Sequence, residues 1–202
     1  MRLLLIQSSS NPGSSYSRRW SEKVVDHLKK KHPQLALETL DLCEHAVPAV
    51  TPLSVAASFT PQAQRNAEQS EAIALSEQLV DQFLNADVIV LGIPMYNFGV
   101  PANFKAYVDQ IVRVGKTFQY TPTGPVGLVT GPKKLIVVSS SGGIYSEGPA
   151  KGSDFLEPYL KTLFGFLGLK DINFIRLEGT ALGEAQITKV EQLAAKQIEV
   201  LS

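Results

Sequence analysis

Short runs of consecutive apolar residues alternate along this chain with longer stretches in which apolar positions recur every three or four residues. A run that is apolar on both faces fits a strand buried inside a parallel sheet, whereas the longer recurrence fits a helix with one buried side. Leu3-Leu4-Leu5-Ile6, Val88-Ile89-Val90-Leu91 and Leu135-Ile136-Val137-Val138 are runs of the first kind. Leu35 to Leu40 alternates, predicting a strand nearer an edge, and Ile172 to Leu177 predicts a last strand. A helix is predicted from about Ser15 to Lys31, with Trp20, Val24 and Leu28 on one face. A second is expected to open at Thr60-Pro61, a hydroxyl cap followed by proline, and to bury Ala72, Leu75, Leu79 and Phe83. Pro101 to Val114 places Phe104, Tyr107, Val108 and Ile111 on one stripe, with Gly115 as the terminator. Asp154 to Leu167 should bury Leu156, Tyr159, Leu160, Leu163 and Phe164 and close at Gly168, and Glu184 to Leu201 should form the last helix. The Pro-, Ala- and Ser-rich residues 44–60 are expected to make a surface excursion. Residues 116–133, with turn signals at Pro122-Thr123-Gly124-Pro125 and Thr130-Gly131-Pro132, are expected to make a hairpin or ordered excursion.

Strict alternation of five strands and five helices predicts an α/β fold. The leading candidate is a flavodoxin-like three-layer sandwich around a five-stranded parallel sheet in the order 2-1-3-4-5, ahead of a Rossmann variant. With 202 residues, no repeat and no linker, residues 1–202 read as one domain. Nineteen basic residues balance nineteen acidic ones, which removes any electrostatic case for nucleic acid or an anionic membrane and counts against an acidic electron shuttle. No stretch approaches the ~18 apolar residues of a membrane span, and Met1 to Gln7 is not a signal peptide, because its apolar run is too short and leads into serines. The expected location is cytoplasmic. Cys43 stands alone, so it has no internal disulfide partner and no zinc-ligand spacing; it is expected to be a small buried or half-buried side chain.

In an open parallel sheet, ligands bind beyond the carboxyl ends of the strands, where the strand order reverses. Three strand exits carry unusual residues. The first is Ser8-Ser9-Ser10-Asn11-Pro12-Gly13-Ser14-Ser15-Tyr16-Ser17. Hydroxyls here converge on a helix start, whose unpaired N–H groups and positive dipole end suit an anion. Neither GxGxxG nor GxxxxGK is present. Arg18 and Arg19 fall in the first helical turn, a poor place for cations; a bound phosphate relieves that cost, and so does solvation. The second exit is Gly92-Ile93-Pro94-Met95-Tyr96-Asn97-Phe98-Gly99-Val100-Pro101, which offers backbone groups, one amide and two rings to a flat heteroaromatic ligand. The third, Ser139-Ser140-Ser141-Gly142-Gly143-Ile144-Tyr145, has small residues that let a ligand approach the backbone, and its N–H groups suit the pyrimidine edge of a flavin.

Pro94-Met95-Tyr96-Asn97-Phe98, Thr117-Phe118-Gln119-Tyr120-Thr121, Gly124-Pro125 with Gly127-Leu128-Val129-Thr130-Gly131, and Gly142-Gly143-Ile144 together resemble the FMN-dependent NADH-azoreductase family. The resemblance covers essentially the whole chain. It implies a flavodoxin-like homodimer holding one FMN per subunit, reduced by NADH or NADPH and reoxidised by quinones or azo compounds in ping-pong fashion. The family's FMN contacts carry over to Ser9, Ser15, Tyr16 and Ser17 at the phosphate. Around the ring they carry over to Met95, Tyr96, Asn97 and Phe98 and to Ser140, Ser141, Gly142 and Gly143, with Tyr96 and Phe98 packed about it. Family members often show arginine at the position of Ser141, and Tyr16 matches by spacing rather than identity. Phe118, Tyr120 and Tyr145 are expected near the substrate face. Phe118 and Tyr120 read as exposed aromatics covering a partner subunit's site.

The flavin would carry the chemistry, so no catalytic side chain and no metal is expected. A flavodoxin-type electron carrier without its own substrate is the alternative; the excursions at 44–60 and 116–133 oppose it, because a shuttle needs an exposed flavin edge. A hydrolase is a third reading. The chain has no GxSxG elbow and no metal cluster, and His27, His32 and His45 lie outside every candidate loop.

Overall fold

The computed structural model describes residues 1–201. Its strands are β1 (Arg2–Gln7), β2 (Ala36–Asp41), β3 (Val88–Pro94), β4 (Phe118–Thr121), β5 (Gly124–Gly127), β6 (Lys134–Ser140) and β7 (Asp171–Leu177). Its α-helices are α1 (Tyr16–Lys31), α2 (Pro52–Phe59), α3 (Ala67–Asn85), α4 (Ala102–Ile111), α5 (Glu157–Leu167) and α6 (Glu184–Glu199). Five strands form one sheet in the order β2-β1-β3-β6-β7, parallel throughout. By position in the sheet this is the expected 2-1-3-4-5. The pair β4–β5 is a separate antiparallel hairpin, within the segment expected to hold one.

Alternate residues of a strand point to opposite faces, which is why the middles of the central strands, Leu3 to Ile6, Val88 to Leu91 and Leu135 to Val138, are apolar on both. Leu3, Leu5, Val88, Val90, Ile136 and Val138 pack with Trp20, Val24 and Leu28 of α1 and Val190, Ala194 and Ile198 of α6. Leu4, Ile6, Ile89, Leu91, Leu135 and Val137 pack on the other side with residues of α3, α4 and α5, among them Phe83, Phe104, Tyr107 and Phe164. Each valine, leucine, isoleucine or phenylalanine among them contributes about 1.5–3 kcal/mol on burial.

Several expectations need correction. The excursion at 44–60 contains a helix, α2, and the hydroxyl-proline start signal is used there: Thr51 caps it, accepting from the Ser54 N–H at 3.1 Å, with Pro52 in the first turn. Thr60 follows the end of that helix, its hydroxyl donating back to the Ala56 carbonyl. The next helix, α3, begins later, behind a capping box in which Asn66 and Gln69 bind each other's backbone N–H. Its buried stripe is Ile73, Ser76, Leu79, Val80 and Phe83; Ala72 is half-buried and Leu75 exposed. The stripe is turned because Ser76 faces α4, donating to the Gln110 carbonyl at 2.6 Å. Helix α4 stops at Ile111, before Gly115, which instead sits in the turn after it at φ +73° with its N–H on the Phe118 carbonyl. Tyr159 and Leu163 are half-buried. Cys43 is exposed. Phe118 is buried, its ring 4.9 Å from that of Phe166, while Tyr120 is exposed as expected.

Candidate functional site

At the first exit, Ser15 is the N-cap of α1, and its hydroxyl accepts from the Arg18 N–H at 3.3 Å. Ser17, fully buried, is the second residue of the helix, its hydroxyl 3.1 Å from that of Ser15. The Ser9 hydroxyl accepts from the Asn11 N–H at 3.3 Å. Among the described residues nothing accepts from the N–H groups of Tyr16 and Ser17. Three hydroxyls and two free N–H donors at a positive helix end suit an oxyanion such as a phosphate monoester. Neither of the neighbouring arginines stands free to bind one. Arg19 pairs with Glu191 at 2.7 Å. Arg18 is buried, grips Asp41 with both ends of its guanidinium, and donates to the Ser9 carbonyl.

At the second exit the backbone folds sharply. Tyr96 and Gly99 exchange N–H to carbonyl bonds of 3.0 Å, and the central residues Asn97 and Phe98 have φ of 47° and 70°. This is the pattern of a type I′ turn, which favours asparagine first and glycine second. A phenylalanine held there stores about 1–3 kcal/mol of strain, a cost the fold keeps at a strand exit. The Phe98 ring is half exposed and stands edge-on to Tyr145, centroids 6.1 Å apart. Among the described residues the Asn97 amide has no hydrogen-bond partner, and its side chain is exposed. The Tyr96 phenol reaches over to the first loop, accepting from the Ser10 N–H at 3.2 Å and lying 3.5 Å from the Ser9 hydroxyl. Burial pushes this phenol up, but the bonds from Ser10 and Ser9 outweigh it and hold it below the ordinary tyrosine value.

At the third exit the carbonyls are tied back into the protein. Those of Ser141, Gly142 and Gly143 accept from the N–H groups of Thr180, Ala181 and Gly179 at 2.9–3.1 Å. The Ser141 hydroxyl donates to the Gly143 carbonyl, so this side chain turns inward. The N–H groups of Gly142 and Gly143 have no acceptor among the described residues. The Met95 N–H donates to the Ser140 carbonyl at 2.7 Å, which joins the second and third exits, as Tyr96 joins the second to the first.

The structure thus brings together Ser9, Ser15, Tyr16 and Ser17, then Met95 to Phe98, then Ser140 to Gly143, with Tyr145 beside Phe98. Phe118 and Tyr120 are not among them: they lie on the hairpin, where Phe118 is core. Ser10 figures in the sequence only as a member of the first loop, and three neighbouring residues escaped the sequence reading. Ser10 holds Tyr96, Asp41 holds Arg18, Asn103 donates to the Ser8 carbonyl, and Glu178 accepts the N–H groups of Tyr145 and Ser146. Asp41 had a signal, since it closes the strand beside β1. The others depend on contacts between distant segments. Among the described residues no group of His, Cys, Asp or Glu could hold a metal ion.

A five-stranded parallel sheet in this order, with three loops gathered at its carboxyl rim, is the flavodoxin-like arrangement, and the chain belongs to that family, whose model, described as flavodoxin-like fold, matches residues 1–201. More particularly, the chain is 42% identical over 188 residues to the FMN-dependent NADH:quinone oxidoreductase of Herminiimonas arsenicoxydans, covering 93% of this chain and 92% of the relative. The protein of that name from Dechloromonas aromatica (strain RCB) is 42% identical over 201 residues, covering 100% and 99%. Among solved structures, an azoreductase from Bacillus anthracis str. Sterne has a TM-score of 0.90 at 31% identity, with 99% of each chain covered. An FMN-dependent NADH-azoreductase from Bacillus anthracis str. Ames Ancestor, in complex with FMN, has a TM-score of 0.87 at 28% identity, covering 98% and 96%.

Proposed function

We propose that this protein is an FMN-dependent oxidoreductase that uses NADH to reduce quinones and that also cleaves aromatic azo compounds reductively. The observation that carries the reading is convergence on one rim: free N–H donors and hydroxyls at the start of α1, a strained aromatic turn and a glycine loop whose N–H groups have no acceptor among the described residues. The phosphate would rest on Ser9, Ser15 and Ser17 and on the N–H groups of Tyr16 and Ser17. The ring would lie against Met95, Asn97 and Phe98 and against Ser140, Ser141, Gly142 and Gly143, with Tyr96 closing the phosphate end. When bound, FMN supplies the redox chemistry, accepting electrons from the nucleotide and passing them to the acceptor.

The chain's own residues bind and orient. The N–H groups of Gly142 and Gly143, with their peptides anchored by the segment at 179–181, are fixed donors for an electron-rich edge. Phe98 and Tyr145, set edge to face, would cover that side of a bound ring. No proton transfer is assigned to a side chain. We read the whole chain as one three-layer sandwich acting as a cytoplasmic homodimer, with exposed Tyr120 available to a partner's site. The relatives' names disfavour a pure electron carrier. The test is purification and kinetics. We expect a yellow protein, one FMN per chain, and parallel double-reciprocal lines with NADH and menadione. A colourless protein that cannot be reconstituted with FMN refutes the proposal.

A further inference from the structure

We propose that Arg18, held by Asp41, is a positioning residue for the FMN phosphate: it clamps the Ser9 carbonyl inward and thereby aims the Ser10 N–H into the crevice. The inference rests on the FMN reading above and names residues that reading does not use. Arg18 occupies the third position of α1, at the positive helix end that disfavours a cation. It is also buried, 8% exposed, and a buried guanidinium is costly unless paired. Asp41, at the end of β2, meets both costs by accepting from both terminal nitrogens.

Two further N–H groups of the guanidinium go to one acceptor. Nε and Nη2 donate to the Ser9 carbonyl at 2.9 and 2.5 Å, and the Cys43 thiol lies against the same oxygen at 3.3 Å. The neighbouring Ser8 carbonyl accepts from Asn103 at 3.1 Å. Both carbonyls of the loop's entry are therefore drawn into the protein. In a trans peptide the C=O and N–H point in opposite directions, so the Ser9–Ser10 peptide must present its N–H on the crevice side, where it meets the Tyr96 phenol. The opposite orientation would turn a carbonyl oxygen toward the phosphate. Because Asp41 neutralises the guanidinium, the contribution of Arg18 is one of orientation and not of net charge.

The experiment titrates FMN and riboflavin separately into apoprotein, reading flavin fluorescence, for wild type, Arg18→Lys and Asp41→Asn. Riboflavin lacks the phosphate and serves as the internal control for the integrity of the ring site. Lysine keeps the charge but loses the planar fork. Asp41→Asn keeps Arg18 charged but removes its anchor. We expect both variants to bind FMN about tenfold more weakly or worse, as the loss of charge-assisted bonds implies, with riboflavin affinity unchanged. FMN affinity unchanged in both variants overturns the inference, and so does an equal loss for the two flavins. Tighter FMN binding by Asp41→Asn also overturns it, since that outcome makes Arg18 a direct electrostatic attractor. A wild type that binds neither flavin overturns the FMN reading itself.

Discussion

Glu77 shows how much one side chain can hold. Its Oε1 accepts from Arg65 and Arg113 at 3.0 Å each, and its Oε2 pairs with Lys116 at 3.0 Å. Burial alone would push this carboxyl up, but Lys116, Arg113 and Arg65 outweigh it and bring it down to about 2. A carboxyl lower in the folded than in the unfolded state contributes stability that is complete above its unfolded value of about 4.3 and is lost as pH falls toward the folded one. Glu77→Gln is therefore expected to destabilise the protein at neutral pH by about 2 kcal/mol, leaving three cations without their anion. It should also flatten the acid limb of the stability profile between about pH 4.3 and about 2. Urea unfolding across that range reads both effects. A variant that keeps the full acid slope would assign it to other groups.

At the level of elements, the hairpin β4–β5 is docked through its last residue. A Cβ on Gly127 would lie 2.2 Å from the Leu167 carbonyl carbon and 2.4 Å from the Gly168 nitrogen, both backbone, and just beyond it the Val129 N–H donates to the Leu167 carbonyl at 2.9 Å. Gly127→Ala is expected to cost about 3 kcal/mol, the upper range for overpacking, and to free the hairpin. Hydrogen exchange should show protection lost first over residues 118–129; uniform loss across the sheet would contradict local docking. The glycine contact was illegible in the sequence because it joins a hairpin to a helix end forty residues away. By contrast, the central strands were legible, because burial on both faces leaves no polar position to confuse the pattern. Helix α2 was hidden by its composition. Pro52-Leu53-Ser54-Val55-Ala56-Ala57-Ser58-Phe59 is short and has no clear polar face, so Thr60-Pro61 drew the start signal that belonged to Thr51-Pro52. The rim behaved in the same way. The three loops could be read from residue type at strand ends, whereas the Arg18–Asp41–Ser9 contact and the reach of Tyr96 depend on which segments the sheet makes neighbours.

For the whole molecule, helix α2 presents Val55 and Phe59, four residues apart and so on one side, to the surface, with Phe59 65% exposed. Isolated apolar side chains on a surface are ordinary, but two paired on one helix face mark a place that a partner can cover. If that face joins two subunits, light scattering should give twice the chain mass for the wild type and the chain mass for Phe59→Asp; a monomeric wild type at micromolar concentration contradicts the homodimer. The rim has a further consequence for how the chain reaches its native state. The bonds that assemble it run from Ser8 to Gly92, from Ser10 to Tyr96 and from Met95 to Ser140, joining segments far apart along the chain. Contacts of that separation come late and slowly, because long loops must close before they form. The complete rim therefore exists only once these segments have met, although the Ser15 cap and the Tyr96–Gly99 turn are each held by local bonds. Capture of a ligand there during refolding marks the moment at which β1, β3 and β6 have all found their places.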